Sequence, residues 1–174
     1  MLTGCKSDAG IQHSLELPMP EAVTLYDNHN PYLYTLEVRV TDESGEVMEI
    51  GPWRFRCNKI EIREDKVVYY NGKRFIINGV NRHEWNAHSG RCITTADEQW
   101  DIECFHRNNI NAVRTCHYPD RISFYYLCDE HGIYMMAETN LESHGTWQKC
   151  NGLEPSWNVP GDNPAWYAAV LDRA

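Results

Sequence analysis

The sequence predicts an α/β fold in which a β-region leads into the start of a β/α barrel. Three observations predict it: β-patterned segments up to residue 62, alternating strand and helix patterns from residue 63, and polar residues gathered just past each strand pattern of that second region.

The β-region comes first. From Tyr34 to Thr41 the chain alternates, with Leu36, Val38 and Val40 on one face and Glu37, Arg39 and Thr41 on the other, the period of a half-buried strand. Asp42-Glu43-Ser44-Gly45 is a turn and Glu46 to Ile50 resumes the strand, so the pair is a hairpin. Pro18, Pro20 and Pro31 exclude helix nearby. Trp53 to Ile62 reads as a further strand. So few strands do not close a sandwich core, and residues 1–62 read as the end of a β-domain.

Val67 to Tyr70, a turn at Asn71-Gly72, and Arg74 to Ile77 make a small second hairpin. The apolar run Phe75-Ile76-Ile77 leads into Gly79-Val80-Asn81 as a first strand. Thr95 to Asn108 is a helix, with apolar Trp100, Ile102, Cys104 and Phe105 and acids at Asp97 and Glu98 in its first turn. Asn111 to Thr115 is a short strand. Asp120 to His131, with Ile122, Phe124, Tyr125, Leu127 and Cys128, is a second helix stopped by Gly132. Ile133 to Ala137 is a fully apolar third strand. After a long loop, Pro164 to Ala174 opens a third helix with Asn163 as its N-cap.

Such an order implies a parallel sheet with helices outside it. The segment Asn78 to Glu84 (NGVNRHE) lacks the three-glycine spacing of a dinucleotide fingerprint, which leaves the β/α barrel. A complete TIM (β/α)8 barrel needs roughly 200 residues or more, so residues 63–174 are expected to hold its first three β/α units.

Composition narrows the function classes. Apolar residues make up 42% and charged residues 24%, ordinary for a globular protein. A net charge of −9 opposes docking on nucleic acid or on an anionic membrane. No apolar run approaches the roughly 20 residues that span a bilayer. The seven cysteines, at 5, 57, 92, 104, 116, 128 and 150, show no C-x-x-C spacing, and there is no Asn-x-Ser/Thr sequon. Reduced, mostly buried thiols in a cytoplasmic protein are expected. Leu2-Thr3-Gly4-Cys5 resembles a lipoprotein cleavage box, but such a box acts behind a charged and then an apolar segment, and only Met1 precedes it here.

The chemistry clusters at strand ends. Asn81, Arg82, His83 and Glu84 follow the first strand, Arg114 and His117 the second, and Glu138, Asn140, Glu142 and His144 the third. Active sites of β/α barrels are built at that end. Each residue also has a structural alternative. His83 could bond a backbone carbonyl, and Arg114 could pair with Glu84 or Glu138. Glu142 and His144 lie two apart, so on an extended loop they share a side and could grip one cation; ligand chemistry alone suggests manganese or zinc. His13, His29, His88, His106 and His131 have no such setting and read as ordinary surface or core histidines.

Three strings are specific. NGKRFIINGVNRHE (71–84), NAVRTCHYP (111–119) and CDEHGIYMMAETNLESHG (128–145) closely resemble glycoside hydrolase family 2, and within it the large bacterial β-galactosidases. NPYLYTLEVRV (30–40) and RFRCNKIEI (54–62) are similar to the end of that family's immunoglobulin-like β-sandwich. β-Glucuronidases share GVN-x-HE and a SHYP-like element but lack the N-x-E-x-H-G loop found at Asn140 to Gly145.

The resemblance implies a retaining enzyme acting on terminal β-D-galactosides such as lactose, with two glutamates about 5 Å apart as acid/base and nucleophile. In the family these follow the fourth and a later strand. Glu84, Glu138 and Glu142 match other positions, so no catalytic residue is expected within this sequence and the chain alone is expected to be inactive. Carried over by resemblance are His83 and His117 as sugar-binding, transition-state contacts, Arg114 as an organiser of carboxylates, and Glu142 and His144 as two ligands of an active-site Mg2+. Family members are often homo-oligomers, and assembly with the rest of a barrel is expected. Two other classes are open to the same residues: a non-catalytic carbohydrate- or metal-binding module, and a zinc hydrolase using His83, His117 and His144.

Overall fold

The computed structural model describes residues 16–19, 21–144, 148–149, 154–155 and 163–173. The Leu2–Cys5 box, His13, Gly145 and Cys150 lie outside the described residues.

The first sheet is the hairpin of β1 (Tyr34–Thr41) and β2 (Val47–Phe55), paired from Tyr34↔Phe55 to Thr41↔Val47. Its turn forms where the sequence places it. Asp42 Oδ1 accepts the backbone N–H groups of Ser44 (2.8 Å) and Glu46 (2.9 Å), and Gly45 takes a positive φ of 87°. These bonds hold the Asp42 carboxyl below its ordinary pKa, the Ser44 side chain first among them. The half-buried alternation is realised only at one end. Leu36 is partly covered, but Val38 and Val40 are exposed, because this sheet has two strands and β1 contacts little except β2.

The stretch read as one strand from Trp53 to Ile62 is two. Trp53–Phe55 ends β2, opposite Leu36–Tyr34, whereas β3 (Ile60–Ile62) joins β4 (Val68–Tyr70) and β5 (Lys73–Arg74) in a second antiparallel sheet. Side-chain and loop bonds take over in between: Tyr26 N–H donates to the Cys57 carbonyl (2.9 Å) and Lys59 N–H to Asn71 Oδ1 (2.9 Å). The second hairpin is also shorter than its pattern suggests. Ile76 and Ile77 are outside any strand and exposed, held by Asn111, whose Nδ2 donates to the Ile76 carbonyl (2.9 Å) and whose Oδ1 accepts from Asn78 N–H (2.8 Å).

The third sheet carries the barrel pattern. Strands β6 (Gly79–Arg82), β7 (Ala112–Thr115) and β8 (Tyr134–Met136) are parallel and neighbours in sequence order, in register at Val80↔Val113 and Arg114↔Met136. They are joined by α1 (Thr95–Arg107) and α2 (Ile122–His131). A sheet that adds each new strand beside the last, with helices on one face, is the growth mode of a closed barrel rather than of a doubly wound sheet. The core lies between strands and helices: Ile102 and Phe105 of α1, Val113 of β7, Phe124 and Cys128 of α2, and Ile133. Trp100 and Ile122, apolar members of the helix patterns, face solvent instead.

Both helices have the punctuation their sequences supply. Thr94 caps α1 in a reciprocal box with Asp97, and Gly132 ends α2 in the left-handed region at φ 70°. Asn163 accepts the Ala165 N–H and Pro164 opens a 3-10 turn leading into α3 (Tyr167–Arg173). Two short strands, β9 (Gln148–Lys149) and β10 (Glu154–Pro155), pair in the loop before it.

An aromatic group closes the end where the parallel strands begin. Tyr134 meets Tyr70 and Phe75 edge-on at 4.9 and 4.6 Å between centroids, and Tyr26 at 6.5 Å. Tyr26 is fully buried, donates its hydroxyl to the Asp129 carbonyl (2.9 Å), and is pushed up to about 12 by burial. A cavity of about 540 Å³ lies above this group, lined by Tyr70, Phe75, Val80, Ala112, Arg114 and Tyr134 among others. No helix among the described residues is long and apolar enough to cross a membrane.

Candidate active site

Alternation along the strands decides which polar residues reach the site. Asn81 and Arg82 belong to β6 itself rather than to the loop after it. Neighbours in a strand point to opposite faces, and these two do. Arg82 turns toward the helices, where its guanidinium lies 4.0 Å over the Phe124 ring, bonds Asp120 Oδ2 (2.6 Å) and Asp101 Oδ2 (2.8 Å), and is buried. It braces the site from behind and does not line it. Burial pulls Arg82 down, but the bonds from Asp101 and Asp120 outweigh it and leave its pKa raised. For Asp120, burial pushes the carboxyl up and its bond to Arg82 offsets only part of that.

Asn81 and Arg114 are register partners on the opposite face. Arg114 Nη1 lies 3.4 Å from Asn81 Oδ1, Nη2 lies 3.2 Å from His117 Nδ1, and Nε donates to Glu138 Oε1. Of the two pairings open to Arg114, the structure takes Glu138. Glu138 is fixed in turn: its backbone N–H donates to Thr115 Oγ1 (2.9 Å), and its Oε2 stands 3.5 Å from His117 Nδ1. Glu84 goes elsewhere, accepting the N–H of Arg121 just before α2 (2.8 Å).

His83 lies beyond the end of β6, its ring 5.6 Å from that of His117 and nearly perpendicular. The Tyr118 hydroxyl lies 3.3 Å from His83 Nδ1 and accepts the Glu84 N–H (3.2 Å). Arg91 covers the Tyr118 ring at 4.6 Å. Tyr118 therefore sets the imidazole's angle, a role that sequence spacing does not reveal.

Glu142 Oε1 and His144 Nδ1 stand 3.0 Å apart, with His144 at the start of a helical turn rather than on an extended loop. Both line a cavity of about 250 Å³ together with His117, Glu138, Thr139 and Leu141. Two neighbouring ligands about 2.1 Å from an octahedral ion stand roughly 3 Å apart. The spacing of the pair is therefore compatible with one shared cation, once the proton between the two atoms is lost. The zinc set considered from sequence does not assemble. Among the described residues, the group with three ligand atoms in mutual reach is His83, Cys116 and His117, within 4.8 Å, and His144 is not in it.

Four of the five residues singled out thus gather in one connected region: Arg114 bonds His117, which shares its cavity with Glu142 and His144, while His83 stands beside His117. His29, His88, His106 and His131 are exposed elsewhere. The described cysteines, 57, 92, 104, 116 and 128, are all free.

Residues 60–174 match the family model for glycosyl hydrolases family 2, TIM barrel domain. The β-galactosidase large subunit of Latilactobacillus sakei is 63% identical over 156 residues, covering 90% of this chain and 25% of that protein. The β-galactosidase of Clostridium acetobutylicum is 48% identical over 170 residues, covering 92% of this chain and 19% of that protein. Among solved structures, Bifidobacterium dentium β-glucuronidase complexed with coumarin-3-O-glucuronide superposes with a TM-score of 0.63 at 29% identity, covering 67% of this chain and 19% of that one. This chain thus spans about a quarter, 25%, of the length of the first of these relatives.

Proposed function

The chain belongs to glycosyl hydrolase family 2, and from that premise we propose that it is the part of a β-galactosidase that binds the sugar and begins its Mg2+ site. The observation that carries the proposal is the shared cavity of His117, Glu138, Glu142 and His144 at the C-terminal end of a parallel sheet. In this reading residues 1–62 are the last strands of an immunoglobulin-like sandwich and residues 63–174 the first three β/α units of the barrel.

Each side chain has a task. His117 and His83 donate hydrogen bonds to galactose hydroxyls and strengthen them as positive charge builds on the ring. Arg114 is always charged; it aims Glu138 and stands against Nδ1 of His117, which leaves Nε2 of that ring to face the sugar. Glu142 and His144 hold the cation, whose chemistry is to fix and polarise neighbouring oxygens. The glutamates that protonate and displace the leaving group come from segments outside these residues. The protein works in the cytoplasm on lactose-like galactosides, as an oligomer.

β-Glucuronidase is the second reading, favoured by the superposition on that enzyme. Identity is twofold lower there, 29% against 63%, and the Glu142–His144 pair supports the galactosidase. The test is hydrolysis of aryl β-D-galactoside and aryl β-D-glucuronide by the full-length protein that carries this chain. Galactoside turnover alone is expected, with none from residues 1–174 in isolation. Preference for the glucuronide would overturn the proposal.

A further inference from the structure

The cluster of His83, Cys116 and His117 has a donor set unlike that of the Mg2+ site. Two imidazole nitrogens and one thiol sulfur, all within 4.8 Å, are soft ligands of the kind that select Zn2+ over Mg2+. A tetrahedral zinc site needs its ligand atoms roughly 3.3–3.7 Å apart, so closing the cluster takes a shift of about 1 Å, within the reach of side-chain rotation. The geometry points to a second, inhibitory metal site here, one that takes Zn2+ or a similar thiophilic divalent cation in competition with the sugar. This inference rests on the reading of His83 and His117 as sugar contacts only for its inhibitory effect; the binding itself does not depend on it.

Both histidines have partners ready for metal binding. A ligating imidazole must be bare at the nitrogen that meets the metal and must place its proton on the other, usually against a carboxylate, carbonyl or water. His83 Nδ1 faces the Tyr118 hydroxyl at 3.3 Å, and this oxygen can accept as well as donate. His117 Nδ1 faces Arg114 Nη2 at 3.2 Å and Glu138 Oε2 at 3.5 Å, a donor for one tautomer and an acceptor for the other. Moving the proton from Nε2 to Nδ1 therefore leaves neither ring without a partner, and both Nε2 atoms become free for the ion. Cys116 supplies the third ligand. Its thiol is buried and donates to the Arg82 carbonyl at 3.3 Å. On coordination the S–H bond breaks, its proton leaves to solvent, and the sulfur's electron pair forms the bond to the metal. A water completes the tetrahedron. The two nitrogens are then unavailable to a galactose hydroxyl, so inhibition is competitive.

The experiment titrates Co2+, a spectroscopic substitute for Zn2+, and then Zn2+ itself into the full-length protein held in Mg2+ buffer. Expected are a thiolate-to-cobalt charge-transfer band saturating at one equivalent, and Zn2+ inhibition that raises KM and is reversed by a chelator. Cys116→Ser abolishes the band, weakens Zn2+ inhibition at least tenfold and leaves hydrolysis in Mg2+ buffer without added Zn2+ or Co2+ unchanged. Tyr118→Phe, which keeps the ring, weakens metal affinity roughly 10–100-fold by removing the oxygen behind His83. His144→Asn keeps the band. Absence of the band, its survival in Cys116→Ser, or its loss in His144→Asn would overturn the site. A band from a protein without galactosidase activity supports the metal site and defeats the functional proposal, so the two fail separately.

Discussion

Arg82 and Asp120 form a buried ion pair, Nη1 to Oδ2 at 2.6 Å, that ties the end of β6 to the loop opening α2. Residues of the candidate site lie close to both partners in the chain. His83 follows Arg82, and His117 and Tyr118 precede Asp120. The pair therefore sets the spacing of the two histidines while lying on the opposite face of the sheet. Removing one partner of a buried pair leaves the other uncompensated, which costs about 3–5 kcal/mol. Arg82→Met is expected to destabilise by that amount in urea unfolding. Asp120→Asn is expected to cost clearly less, because burial already pushes that carboxyl toward its neutral form.

The end of α2 carries a second constraint. Gly132 has a φ of 70°, and a Cβ there would stand 2.7 Å from the Asn28 carbonyl oxygen and 2.9 Å from its Cα. Left-handed backbone alone costs an L-residue roughly 1–2 kcal/mol, and the contact with rigid main chain adds to it. Gly132→Ala is expected to lower stability by at least about 2 kcal/mol and to expose the segment around Tyr26 to proteolysis. Gly45, also left-handed but with open space around it, serves as the control. There alanine should cost only the backbone term.

How legible the molecule is from its sequence depends on what each feature needs. The α1 box of Thr94 and Asp97, the Gly132 stop and the Asn163 cap are local bonds, and local spacing predicts them. The end of β2 and the start of β3 are not local. The choice between one strand and two is made by Tyr26 and Asn71, which take the hydrogen bonds of Cys57 and Lys59 from far along the chain. Tyr26 itself gives no periodic signal, being a single aromatic in a loop. At the site, strand-end position identifies His83, Arg114 and His117. It cannot separate Asn81 from Arg82, because a one-residue difference in where β6 ends decides which of them faces the site. Tyr118 and Cys116 show their roles only once the loop brings them against His83 and Arg82.

The α1 cap predicts an acid limb in stability. Asp97 accepts the Thr94 backbone N–H (2.7 Å) and hydroxyl (2.8 Å), and these bonds, the backbone one first, hold its pKa below the ordinary value. A carboxylate depressed in the folded state contributes stability that is present above its unfolded pKa, about 4, and is lost as pH falls through the lower folded value. The Tm difference between wild type and Asp97→Asn is therefore expected to be largest near neutral pH and to vanish well below pH 4. A difference that persisted or grew in acid would show that Asp97 acts through something other than its charge. Thr94→Ala removes the other half of the box and is expected to cost about 0.5–2 kcal/mol at neutral pH.

The strongest functional prediction concerns Arg114. Its guanidinium reaches Asn81, His117 and Glu138 at once, from a side chain 36% exposed. Lysine keeps the charge but has a single nitrogen and cannot span three partners in one plane. Arg114→Lys is thus expected to leave folding nearly intact and to misplace both Glu138 and the His117 ring. Misplacement on the order of 1 Å in a glycosidase site costs roughly 100-fold, so kcat/KM for an aryl galactoside should fall by about that factor in the full-length enzyme. Glu138→Gln preserves shape while removing the charge that Arg114 holds, and should fall similarly. If the two act as one unit, the double variant is no worse than about either single variant, because each already breaks the same bond. Additive losses would mean instead that Arg114 and Glu138 touch the substrate independently, and that their contact in the structure is incidental to the reaction.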